Sequence, residues 1–179
     1  MTTFVSLLRG INVGGKNKLP MKELIALLND IGLSHVETYI QSGNIVFQSD
    51  ISDVEALSAR ISAAISNHAG FSPHVLTLTR VDFQKAMTNN PFPDAVGAPK
   101  TLHLFFLAGV PTAPDLACLD TYKKESERFQ LIDAVFYLHA PDGIGRSKLA
   151  ANVEKAMGVP ITARNWRSVE KIMAIAQSL

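Results

Sequence analysis

The order in which the hydrophobic period changes along the chain restricts its fold more than any other feature. Phe4-Val5-Ser6-Leu7-Leu8 is a continuous apolar run of strand length. Met21, Leu24, Ile25, Leu28 and Ile31 then recur at helical spacing, with Pro20 suited to the first turn and Gly32 placed to end it. Val36, Thr38 and Ile40 alternate with Glu37, Tyr39 and Gln41. Gln41-Ser42-Gly43-Asn44 is a turn, and Ile45-Val46-Phe47 returns as a strand, so the segment reads as a hairpin. Ser52 or Asp53 caps a second helix with Val54, Leu57, Ile61, Ala64 and Ile65 on one face, and Gly70 ends it. Val75-Leu76-Thr77-Leu78-Thr79 is the closing strand. Strand, helix, hairpin, helix, strand is the split βαβ, or ferredoxin-like, arrangement, in which two helices cover one face of an antiparallel sheet.

The second half repeats most of this order. A short helix over 82–88 leads into residues 89–100, whose two asparagines, three prolines and glycine read as a connecting loop. The run 101–108 is a strand apolar on both faces, and a helix spans about 114–125. Phe129-Gln130-Leu131-Ile132 and Val135-Phe136-Tyr137-Leu138 form a hairpin around Asp133. Ser147 caps a helix reaching Met157. A last helix carries Trp166, Val169, Ile172, Met173 and Ala176 on one face, where the fourth strand would otherwise fall. The expectation is an α+β protein of two ferredoxin-like halves with antiparallel sheets and a C-terminal helical pair. Its parts are residues 1–88, a connector at 89–100, and residues 101–179.

Charge placement points to a candidate site. Segments 9–18, 143–148 and 164–167 hold seven basic side chains and no acid: Arg9, Lys16, Lys18, Arg146, Lys148, Arg164 and Arg167. An even spread of the 17 basic residues would place only about two there. Glycines at 10, 14, 15, 143 and 145 let the backbone turn sharply and expose amide donors. If these segments meet, the pocket would hold a phosphate, a carboxylate or a nucleic-acid backbone. The candidate ligand-binding residues are Arg9, Asn12, Gly14, Gly15, Lys16, Ser42, Asn44, Arg146, Ser147, Lys148, Arg164, Asn165 and Trp166. Several also have a structural reading: the glycines as turns, Asn165 as a helix cap, Arg9 and Arg164 as bridges between the halves, and Trp166 as packing rather than stacking on a base, its period with Val169 and Met173 favouring packing.

The rest is mostly exclusion. A net charge of +1 argues against a strongly basic nucleic-acid coat, though not against local basic patches. Gly14-Gly15-Lys16-Asn17 lacks Walker spacing, and Gly143-Ile144-Gly145 lacks the third glycine of a dinucleotide fingerprint. Histidines 35, 68, 74, 103 and 139 show no metal-ligand spacing, and no nucleophile–base pair or cofactor signature is legible. An enzyme acting on a small phosphorylated or carboxylated substrate near Ser42 or Asn44, and an interaction module with structural basic loops, stand as alternatives to simple binding. The single cysteine, Cys118, lies in an apolar setting and fits a reducing compartment. No apolar run approaches the ~20 residues of a membrane helix. With no secretory signal legible, the expected location is the cytoplasm.

Four motifs stand in a familiar order: 8–15, 41–44, 143–148 and Thr162-Ala163-Arg164-Asn165-Trp166-Arg167. Together they resemble the bacterial family catalogued as domain of unknown function 1697. The resemblance implies two ferredoxin-like subdomains and brings no established activity, cofactor or catalytic residue.

Overall fold

The computed structural model describes all 179 residues. In chain order the elements are β1 (Thr2–Arg9), α1 (Met21–Asp30), β2 (Ser34–Tyr39), β3 (Asn44–Ser49), α2 (Val54–Ala69), β4 (His74–Thr79) and α3 (Arg80–Thr88). They continue with β5 (Leu102–Leu107), α4 (Leu116–Tyr122), β6 (Arg128–Ile132), β7 (Val135–His139), α5 (Lys148–Met157), β8 (Ile161–Asn165) and α6 (Trp166–Ser178). Two four-stranded antiparallel sheets result, ordered β2-β3-β1-β4 and β6-β7-β5-β8. The protein is therefore two ferredoxin-like halves with a C-terminal helix. No helix is long and apolar enough to cross a membrane.

In the first half, alternate residues of β1 and β3 face the helices. Phe4 pairs with Phe47 across the strands, and their rings stack at 5.7 Å. Leu8, Leu24, Leu28, Ile45, Leu57, Ile61 and Ile65 complete that core, each at most 1% exposed. Helix α2 is held at both ends. The Asp53 carboxylate accepts from the Glu55 and Ala56 amides, and Gly70 leaves the helix in the left-handed conformation at φ 75°. A hydroxyl chain joins α2 to the sheet: Ser58 Oγ bonds Thr77 Oγ1 at 2.9 Å, which bonds buried Ser6 Oγ at 2.7 Å.

In the second half, Phe105, Leu107, Leu119, Phe136, Leu138, Leu149 and Val153 form the core. Asp133 takes a left-handed φ of 52° and closes the expected β6–β7 hairpin. Tyr137, fully buried, donates its hydroxyl to the Ala86 carbonyl at 2.6 Å.

One element differs from the expectation. Residues 161–165 form β8, antiparallel to β5, so the second half has its fourth strand and the two last helices are not consecutive. Ile161 and Thr162 supply β-branched side chains, and pairing with β5 outweighs the helix pattern that begins beside them. The chain also divides into compact units 1–85 with 170–179, and 86–169, so the last ten residues group with the first half rather than the second. One tie is direct: Gln48 Nε2 donates to the Leu179 carbonyl at 2.8 Å.

Candidate functional site

Beyond Arg9 the first strand leaves its sheet through a small hydrogen-bonded arm. Gly14 (φ 58°) and Gly15 (φ 75°) occupy the two central positions of a turn closed by Lys16 N–H donating to the Val13 carbonyl at 3.0 Å. Two successive positive φ values are the type I′ requirement, which glycine meets without strain. One step back, Asn12 N–H donates to the Asn17 carbonyl at 3.0 Å. The Asn12 side chain then locks the arm. Its Nδ2 donates to the Leu19 and Gln41 carbonyls, each at 2.9 Å, and its Oδ1 accepts from the Leu19 amide at 2.8 Å. Asn17 Nδ2 donates to the Gly10 carbonyl, and Ile11 and Leu19 are buried at the base.

The bond to Gln41 brings the glycine arm and the 41–44 turn together. In that turn, buried Asn44 donates to the Tyr39 carbonyl and to Ser42 Oγ, and Leu8 N–H donates to the Gly43 carbonyl. Beside them Ile40 sits at φ 51° and is 52% exposed. A β-branched residue in that region costs about 1–2 kcal/mol. Asn12→Ala should remove three hydrogen bonds and destabilise the protein by roughly 2–3 kcal/mol. A denaturation midpoint unchanged from wild type would contradict this account of the arm.

In the second unit, segments 143–148 and 164–167 leave the sheet at one end. The Ala140 amide donates to the Thr101 carbonyl at 2.8 Å and the Arg167 amide to Pro99 at 3.4 Å, so both flank residues 99–101. Ser147 Oγ caps α5 by accepting from the Ala150 amide at 3.0 Å. Asn165 Oδ1 caps α6 by accepting from Ser168, and Trp166 is 6% exposed. Arg164 donates to the Ala163 carbonyl, and burial lowers its pKa to about 10, leaving it charged at neutral pH. Arg146, Lys148 and Arg167 are exposed.

Many of the candidate residues therefore shape the loops themselves: Asn12, Gly14, Gly15, Ser42, Asn44, Ser147, Asn165 and Trp166. Arg9, Lys16, Arg146 and Lys148 lie at the surface. The basic segments also occupy non-equivalent ends of the two halves. The arm follows β1, whereas the loop following the corresponding strand β5, residues 108–115, contains no cation.

One cluster has no counterpart among the expected sites. Arg128 forms a two-pronged pair with Asp94, Nη2–Oδ2 2.7 Å and Nη1–Oδ1 3.3 Å, and its guanidinium lies 4.8 Å from the Phe92 ring centroid. Its Nη2 is also 2.9 Å from His139 Nδ1. Guanidinium only donates, so His139 accepts at Nδ1 and carries its proton on Nε2. Burial and then the Arg128 charge hold the His139 pKa below the usual histidine range, while Asp94 opposes them. The hydrogen bond from Arg128 lowers the Asp94 pKa. This clamp ties the 89–100 connector to β6 and β7. No three histidine, cysteine, aspartate or glutamate side chains gather to hold a metal.

A family model described as "Protein of unknown function (DUF1697)" matches residues 1–137, well over half of the chain. The chain belongs to that family. The match includes the arm and the 41–44 turn and ends before the other two basic segments. Among solved structures, conserved bacterial protein SP0830 from Streptococcus pneumoniae is similar at 25% identity and a TM-score of 0.72, with 98% of each chain covered. No curated protein gave a significant match. Neither description names an activity, so a functional reading has to come from the residues.

Proposed function

We propose that the protein binds a phosphate-bearing ligand through the arm of its first unit. The observation that carries this reading is a hairpin, held in place by its own hydrogen bonds, that bears Lys16 and Lys18 and is followed by Lys22 in the first turn of α1, with no acid from residue 9 to residue 22. A fixed arm loses little conformational freedom on binding. At the turn, nothing lies within 4 Å of where a Cβ on Gly14 or Gly15 would stand, so an anion can approach the backbone closely. The central amides of a type I′ turn are not used in closing it and supply donors beside the Lys16 ammonium.

The test is titration calorimetry with pyrophosphate and a nucleoside triphosphate in low salt, comparing wild type with Lys16→Ala/Lys18→Ala. Both lysines are exposed, so the fold should be retained. Losing two charge-assisted contacts should weaken binding by at least about tenfold. Equal affinities in the two proteins would rule out the arm as the site.

A further inference from the structure

We infer that the ligand of this arm is a nucleic-acid strand, with phosphates on the cations and with Val13 and Ile40 against sugar and base; this deepens the arm-binding reading above and rests on it. Two features of the arm go beyond anion binding.

The first is charge. Lys16 and Lys18 on the arm and Lys22 in the first turn of α1 are exposed cations with no acid between them; three such charges exceed what one phosphate neutralises and match a ligand carrying several phosphates along its length. The second is apolar exposure in the same place. Val13 is 64% exposed and Ile40 is 52% exposed, on two loops held together by the Asn12–Gln41 hydrogen bond. Val13 directly follows Asn12 and Ile40 directly precedes Gln41, so each exposed apolar residue stands one position from that junction.

Ile40 also carries a cost in the free protein. Its left-handed backbone would suit glycine or asparagine, yet the position holds an exposed β-branched residue. Such strain is characteristic of side chains presented for contact. A ligand complementary to the whole surface must alternate negative charge with apolar faces. A nucleic-acid strand does so, with sugar and base between successive phosphates. Inorganic polyphosphate has only the charge. An acidic peptide has no repeating apolar face beside each anion, and two short β-branched side chains offer little area for insertion into a bilayer.

The experiment is fluorescence anisotropy of the full chain with short labelled single-stranded DNA and RNA. Polyphosphate, a nucleoside triphosphate, a poly-glutamate peptide and phosphatidylserine vesicles serve as competitors. Oligonucleotide should bind at least tenfold more tightly than the triphosphate. Lys16→Ala should reduce the slope of log affinity against log salt by about 0.7. Ile40→Asn should weaken oligonucleotide binding several-fold, leave polyphosphate binding unchanged, and raise the thermal midpoint by about 2–4 °C as strain is relieved.

Oligonucleotide affinity unaffected by Ile40→Asn, or no tighter than polyphosphate, would overturn the inference while leaving the arm as an anion site. Tighter binding of the peptide or the vesicles would also overturn it. Failure of every anion to bind would remove both readings together.

Discussion

Gly43→Ala should destabilise the protein by about 3–4 kcal/mol, a large part of the 5–15 kcal/mol that holds a typical domain folded. Gly43 sits at φ 77°, and a Cβ built there would lie 2.5 Å from Leu8 Cβ and 3.0 Å from Ile11 Cδ1. The left-handed conformation costs alanine about 1–2 kcal/mol, and forcing apart a packed core adds about 1–3. Leu8 cannot easily yield. It is 1% exposed, its Cβ is fixed to the backbone of β1, and its own amide donates to the Gly43 carbonyl at 2.8 Å. Gly14→Ala is the matched control, because φ is 58° there and nothing lies within 4 Å of the new carbon. It should show only the conformational cost, about 1–2 kcal/mol. Urea unfolding of both variants checks this. Equal losses would show that the approach of Leu8 to the turn has no energetic weight.

The same contrast marks where sequence reading succeeds. Local patterns identify local structure. The Asp53 and Ser147 caps, the left-handed glycines at 70 and 158, and the Asp133 hairpin stand where residue chemistry puts them. The first half was legible because each change of hydrophobic period falls at a turn residue. Strand β8 was not legible. Its five residues include Arg164 and Asn165 and pass directly into α6 without a breaker, and only pairing with β5 makes them a strand.

The candidate site divides along the same line. Gly14 and Gly15 form the turn their identity suggests, whereas the three hydrogen bonds of Asn12 depend on Leu19 and Gln41, 7 and 29 residues away. Arg128 with Asp94 spans 34 residues, and Arg128 with His139 spans 11 across two strands. No spacing rule links those positions. The histidines, weighed in the sequence as metal ligands, are informative for another reason: where their strands bury them.

His103 should make the protein lose stability as the solution is acidified from neutral pH. The side chain is 7% exposed on β5, its Nδ1 has no hydrogen-bond partner, and burial lowers its pKa from 6.5 to about 4, with the Thr101 backbone offsetting only part of that. The sign follows from proton counting. Between pH 6.5 and 4 the unfolded chain binds this proton and the folded chain does not, so ν_U exceeds ν_N and stability rises with pH. The contribution is intact above the unfolded pKa. It falls as pH drops through the window, reaching a loss of roughly 3 kcal/mol near pH 4. His139 acts in the same direction because its pKa is also lowered, whereas the Asp94 carboxyl, held below its ordinary range by Arg128, acts only at still lower pH. Urea unfolding of wild type and His103→Leu at a series of pH values from 7 to 4 separates the groups. The variant removes a buried, unpartnered nitrogen along with the titration, so its stability should depend far less on pH and exceed that of wild type at the acid end. Parallel curves across the window would show that the buried imidazole is not the source. A ring-proton NMR titration of His103 with a midpoint near 6.5 in the folded protein would show the same at the level of the single residue.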